Sequence, residues 1–317
     1  MKTWLFLRGE YDKNNAENLK NDTDMWCQLF DELADIKDKC FVWFKSKRSE
    51  IKWYGRIAEN EKPKDCIIID DGKLIPTSRI EFDYIFARGG FDYYDPIVKK
   101  CPNAYKIYYG AGSRVFPKKH HYDLILVDTQ EQKEKGEKKF LKSKVALWIK
   151  PAARHFKPVE CKKKYDVCFV ADCHSKYQED FKRVKWVYDT VPKNLKVLHL
   201  GQSSIKPPKN VTVKKVPRLK MPEMISQCNV GIVPYKSKDS APRVIPEMMA
   251  CGLPVVCLDS VNINIYCYRG FITEKKHFWD CIERTNDPLW QKLVVEYYNT
   301  NMSLIPAIKY LKGLIND

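Results

Sequence analysis

No run of apolar residues in this chain approaches the ~20 needed to cross a bilayer, so no membrane-spanning helix is expected. The opening stretch, Met1-Lys-Thr-Trp-Leu-Phe-Leu-Arg8, holds an apolar run too short for a secretory signal and reads as a first strand. The sequence has no Cys-x-x-Cys pair and no Cys/His cluster at zinc spacing, which removes the common structural-zinc and dithiol redox classes. Its 12 cysteines are scattered, several within apolar segments (Cys168, Cys251, Cys257), and buried free thiols in a reducing cytoplasm are the simplest account of them. A Gly-x-Gly-x-x-Gly fingerprint is also missing, as are internal repeats and low-complexity tracts.

What remains is an ordinary α/β composition. A length of 317 residues corresponds to about two domains. Hydrophobic residues make up 44%, enough for a core, and charged residues 30%, as in a soluble protein. The formal net charge is +16. That surplus suits an anionic partner: a phosphate-bearing donor, an anionic membrane surface, a charged glycan or nucleic acid. A solvated basic face is the plain alternative.

Short apolar segments alternate with helical patterns along the whole chain, the arrangement of parallel-sheet domains. Thr3–Leu7, Cys40–Phe44, Cys66–Ile69, Phe82–Ala87, Tyr105–Tyr109, Asp123–Val127 and Lys144–Ile149 read as strands of a first domain. Asp22-Thr-Asp24 supplies capping for a helix carrying Met25, Trp26, Leu29, Phe30 and Leu33 on one face. Glycines stand at several strand exits: Gly9, Gly89, Gly90, Gly110 and Gly112. Those are the positions at which open α/β sheets receive ligands, although any one of them can be a turn glycine and nothing more. Glu160–Lys164 looks like a linker. Tyr165–Ala171, Leu195–Gly201 and Val211–Val216 then open a second domain, with a helix running from Lys176 to about Asp189. Two apolar helical faces occupy Pro288–Asp317.

The most informative stretch is Asp239-Ser-Ala-Pro-Arg243-Val-Ile-Pro-Glu247-Met-Met-Ala-Cys-Gly252-Leu-Pro-Val-Val256. Asn229–Pro234 before it and Leu253–Leu258 after it read as buried strands, with a loop and about two helical turns between them. Pro246 near the helix start and Gly252 just past its end fit the usual asymmetry. The helix start favours an anion such as a diphosphate, and Arg243 beside it can add charge-assisted bonds to phosphate. Asp239 and Glu247 lie eight apart (247 − 239 = 8) on either side of the turn.

This pattern resembles the donor-binding segment of GT-B glycosyltransferases, family 4 in particular. The signature there is an acidic residue, seven others, then Glu-Ala-Met-Ala-x-Gly-x-Pro-Val-Val. Glu247, Ala250, Gly252, Pro254, Val255 and Val256 match; Asp239 stands in for the first Glu and Met248 for an Ala. The resemblance implies two Rossmann-like parallel-sheet domains facing a central cleft, with the C-terminal helix crossing back to the first. Residues 1–158, completed by 290–317, would form the acceptor-side domain and 159–289 the nucleotide-sugar domain.

It also implies a retaining, metal-independent transfer from a nucleotide-diphosphate sugar to a glycan, glycoprotein or lipid-linked acceptor, without a cofactor. In that scheme Glu247 binds ribose and Asp239 orients the sugar. Lys176 and Arg243 carry the charge facing the diphosphate, since Asp172 occupies the family's usual Arg place. Ser240, Ala241, Pro242 and Val244 complete the loop. Arg218 and Leu219 offer main-chain groups to the base, and Gly201 and Gly9 approach the donor. Glu10, Arg88, Gly89, Tyr109 and Gly110 line the acceptor side. The family's His is absent from Tyr109–Arg114, and His120-His121 read as a surface pair. A cytoplasmic protein, in peripheral contact with an anionic membrane if attached to one, is expected. A same-fold DNA base glycosyltransferase and a non-catalytic nucleotide-sugar binder are the alternatives.

Overall fold

The computed structural model describes residues 1–10, 23–35, 37–45, 67–69, 81–89, 94–110, 116–118, 121–236, 242–258 and 272–316. The chain divides into two compact units, Met1–Trp148 with Ile308–Asp317, and Ile149–Ala307. The break therefore falls at Trp148, not after 158, and the helix Pro288–Asn301 lies wholly in the second unit. Local bonds explain the shift. The Ala152 amide donates to the Tyr298 hydroxyl at 3.1 Å, and the Val159 amide to Ser226 Oγ at 3.0 Å. The segment after Trp148 is thus tied into the second unit well before the charged stretch 160–164.

Among the described residues the first unit holds seven strands: β1 (Thr3–Glu10), β2 (Lys39–Lys45), β3 (Ile67–Ile69), β4 (Tyr84–Arg88), β5 (Tyr105–Tyr109), β6 (Leu124–Val127) and β7 (Lys144–Leu147). Their order is β3-β2-β1-β4-β5-β6-β7, and every pairing is parallel. A parallel sheet is covered on both faces, so its strands read as continuous apolar runs rather than as alternation; β6, Leu-Ile-Leu-Val, is buried at all four positions.

The second unit repeats the design with β8 (Tyr165–Val170), β9 (Val197–Leu200), β10 (Val211–Lys214), β11 (Cys228–Val233), β12 (Val255–Leu258) and the short β13 (Ile272–Thr273). Its order is β10-β9-β8-β11-β12-β13, again parallel throughout. Each sheet therefore reverses its winding beside its first strand, at β1/β4 and at β8/β11. No helix among the described residues is long and apolar enough to cross a membrane.

One expected helix is two. Lys176–Phe181 ends at Lys182, Arg183 takes a left-handed φ of 54°, and a new helix runs Val184–Thr190. This break ends the first helix at Lys182, away from the regular face that an unbroken run would have given it.

In the first unit a single carboxylate fixes the join between β1 and the helix Met25–Leu33. Asp24 Oδ1 accepts from the amides of Trp26 (2.9 Å) and Cys27 (3.1 Å), a side-chain N-cap. Its Oδ2 pairs with the Arg8 guanidinium, and both side chains are 5% exposed. Burial alone would raise the Asp24 pKa, but the charge and hydrogen bond of Arg8 outweigh it and hold the carboxyl below its ordinary 3.8. A lowered folded-state pKa means that this stabilisation is present above the unfolded value and lost as pH falls through the folded one. Asp24→Asn keeps the cap but strands the buried guanidinium. It is expected to cost about 3–5 kcal/mol in urea unfolding at pH 7, with the difference from wild type shrinking only below pH 3.8.

Candidate functional site

Where a doubly wound sheet reverses, neighbouring crossovers leave on opposite faces and a crevice opens beyond the carboxyl ends of the strands. In the second unit that place is occupied by a cavity of about 370 Å³. Val170, at the end of β8, Asp172 just beyond it, and Tyr235, just past β11, line it together with Phe181 and Lys182, Arg218 and Met221, and Pro242, Arg243, Val244 and Glu247. The Tyr235 hydroxyl donates to the carbonyl of Val170, so the exits of β8 and β11 are stitched together beside the cavity.

Glu247 lies in the first turn of the helix Val244–Ala250 and is 4% exposed. A carboxylate buried to that degree needs a partner. Arg218 provides it: Nη2 donates to Glu247 Oε1 at 2.6 Å. Arg218 sits in the turn that follows β10, Arg218–Lys220, preceded by Pro217. Its guanidinium carbon lies 5.1 Å from the centroid of the Phe156 ring, within cation–π range. His155 adjoins the pair. Burial and the nearby Arg218 charge push its pKa down to about 4, so the imidazole is neutral at physiological pH.

Among the described residues, Lys182 is the lysine that lines the cavity. Its Nζ donates to the carbonyl of Asp172 at 2.6 Å, and burial lowers its pKa despite the opposing influence of Cys173 and Asp172. Lys176, six positions earlier (182 − 176 = 6), is exposed at the start of its helix and is not among the lining residues. Nothing in the sequence separates these two lysines except the helix break at Arg183, which has no Gly or Pro to announce it. Phe181 and Tyr235 also went unread, though Tyr235 follows a strand at the reversal, where a ligand-facing side chain is expected.

The structure thus brings Arg218, Pro242, Arg243, Val244 and Glu247 to one cavity. Arg218 meets it through its side chain, where main-chain contacts were expected. Leu219 is 46% exposed beside it. Asp239, Ser240 and Ala241 lie outside the described residues. Gly201 has a different duty: at φ +139° its α-carbon sits so close to the exit of β8 that an added Cβ would stand 2.5 Å from the Ala171 carbonyl oxygen.

The donor-side candidate Gly9 and the acceptor-side candidates all lie at carboxyl ends in the first unit. Gly9 and Glu10 end β1, beside a register shift against β2. Arg88 ends β4, its guanidinium 5.1 Å from the Trp26 ring centroid. Gly89, at φ +82°, donates its amide to the Tyr109 carbonyl at 2.7 Å. The Tyr109 side chain is buried, and its hydroxyl is spent on Asp128 at 2.8 Å. Gly110 follows β5 and is buried. Among the described residues no cluster of three or more His, Cys, Asp or Glu side chains could hold a metal ion.

No family model matches the sequence, and no curated protein matches it. Solved structures do resemble it. Sucrose-phosphate synthase from Thermosynechococcus elongatus aligns over 100% of this chain and 98% of its own, with a TM-score of 0.67 and 12% identity. HepE from Anabaena, solved in complex with UDP-glucose, aligns over the whole of both chains with a TM-score of 0.67 and 12% identity. A glycosyltransferase from Rickettsia africae aligns over 99% and 97%, at 0.63 and 10%. The fold is GT-B. At such identities the likeness carries the architecture alone. In this GT-B chain the cavity lies in the second unit, at the winding reversal.

Gly201→Ala tests the close approach behind the site. It is expected to destabilise the protein by at least about 2 kcal/mol, from backbone strain together with the clash against Ala171, read as a lower urea midpoint.

Proposed function

We propose that the protein is a glycosyltransferase that takes a sugar from a nucleotide-diphosphate donor bound in the 370 Å³ cavity of the second unit. The observation that carries this reading is the buried Glu247 carboxylate held at the winding reversal, in a GT-B frame, with Lys182 and Arg243 lining the same cavity. The volume lies within the range of small-molecule sites. HepE, of the same fold, is solved with UDP-glucose, which favours the same class of donor here.

The chemistry follows from the charges. As the bond from the anomeric carbon to the diphosphate oxygen breaks, negative charge grows on the departing group. Fixed cations stabilise it without reorganising, and most strongly where water is excluded. We assign this role to Lys182, with Arg243 beside it, in place of Lys176. Glu247 accepts hydrogen bonds from ribose hydroxyls, and Asp239 orients the sugar. With these cations supplied by the protein, the transfer is proposed to need no metal and, by its resemblance to family 4, to retain anomeric configuration. The acceptor, a glycan, glycoprotein or lipid-linked saccharide, is assigned to the strand ends of the first unit around Glu10, Arg88 and Gly89.

The test is donor hydrolysis and transfer over a panel of UDP-, GDP-, ADP- and TDP-sugars, with and without chelator. Turnover of one donor that survives chelation is expected; the absence of both turnover and binding for every donor would overturn the reading. Lys182→Ala should lower kcat by about 10²–10³-fold, whereas Lys176→Ala should stay within a few-fold of wild type. Because the Lys182 amine has a lowered pKa, its charge is lost as pH rises. The alkaline limb of kcat should therefore begin below the 10.5 of an ordinary lysine and disappear in Lys182→Arg.

A further inference from the structure

Glu247 does not hold its own position. Its carboxylate is buried, and one oxygen, Oε1, is taken by Arg218 at 2.6 Å. No other hydrogen bond to the carboxylate is formed among the described residues, which leaves Oε2 as the acceptor for a ligand hydroxyl. Arg218 in turn is fixed from two sides. The turn Arg218–Lys220 is closed by the Lys220 amide donating to the Pro217 carbonyl at 2.9 Å. The guanidinium also lies on the Phe156 ring, in a segment tied into the same unit. His155, next to that ring and neutral, brings no charge to compete for Glu247.

We infer that Arg218 is the positioning residue for the ribose-binding carboxylate: seated on Phe156, it sets the orientation in which Glu247 meets a vicinal diol, and so makes the site selective for ribonucleotides over deoxyribonucleotides. The inference rests on the donor reading given above. A planar guanidinium suits the task better than an ammonium. It lies flat on a ring and offers donors in fixed directions, so the acceptor's angle is determined as well as its distance. The exposures agree with this division of labour: the Glu247 side chain is 5% exposed and that of Arg218 21%, so the arginine braces the carboxylate from the rim.

The experiment compares binding of UDP, GDP, ADP and TDP with that of the matching 2′-deoxyribo- or ribonucleoside diphosphates by calorimetry. Wild type is expected to prefer the ribo form by roughly tenfold or more, the worth of a hydrogen bond to a charged acceptor. Arg218→Gln should bring that preference to within about twofold. Arg218→Lys should restore it only in part. Phe156→Leu keeps the ion pair but removes the seat, and an intermediate preference is expected; it also covers the case in which Arg218→Gln does not fold. If wild type binds with a ribo preference and folded Arg218→Gln and Phe156→Leu retain it in full, the positioning role is overturned and the donor reading stands. If wild type binds none of these nucleotides, both fall.

Discussion

A parallel sheet wound outward in both directions from its first strand has one place where consecutive crossovers part. Beyond the carboxyl ends of the two strands at that place no connecting helix covers the edge, and a crevice results. Both units of this protein are built so, with reversals at β1/β4 and β8/β11. The strand order is a matter of chain topology and right-handed crossovers, and it decides where chemistry can occur before any side chain is chosen. The functional side chains then act within a location they did not create.

The two units use that location differently. In each, a tyrosine hydroxyl secures the exit of the first strand. Tyr94 Oη lies 3.1 Å from the carbonyls of both Leu7 and Arg88, across β1 and β4. Tyr235 donates to Val170, across β8 and β11. Beside Tyr94 the rings of Trp26, Phe30, Phe86 and Tyr109 pack at tilted and edge-on angles, and Arg8 is paired with Asp24 in the interior. Beside Tyr235 lies the cavity of the second unit. There the corresponding ion pair, Arg218 with Glu247, stands at the cavity wall. The same kind of pair locks a helix to a strand in one unit and holds a carboxylate at the wall of a cavity in the other.

Much of this could be read from the residues. β5 was expected at the limits it has, Tyr105–Tyr109, because flanking turns leave an apolar run no other option. The Glu247 helix was legible because Pro246 falls in its first turn and Gly252 lies just past its end, taking the positive φ, +84°, that a helix stop favours; its start at Val244 precedes the expected Pro246 by two residues. The helix break at Arg183 was not legible: Val184, Val187 and Tyr188 continue an apolar face across it, so periodicity reports one helix where tertiary packing makes two. Lys182 was hidden for the same reason. The unit boundary was misplaced because charge marks solvent exposure, whereas membership of a unit is set by where buried groups such as Phe156 and Ala152 find partners.

The charge surplus teaches a similar distinction. A value of +16 invites the thought that the donor's phosphates account for it. Among the described residues, though, the cavity lining carries three cations (Lys182, Arg218 and Arg243) against two carboxylates (Asp172 and Glu247), a difference of one (3 − 2 = 1). Much of the lysine lies instead on surfaces such as the helix Gln130–Lys139, where Lys133 and Lys135 pair with Glu137 and Glu131 in exposed i,i+4 bridges. Exposed charges of that kind are screened within about 8–10 Å at ordinary ionic strength, so they contribute little at a distant phosphate. Discrimination at the cavity must therefore come from a few desolvated groups in fixed geometry, such as the Arg218–Glu247 pair. The basic character of the chain as a whole is a separate property, bearing on long-range attraction and on solubility rather than on which donor is held.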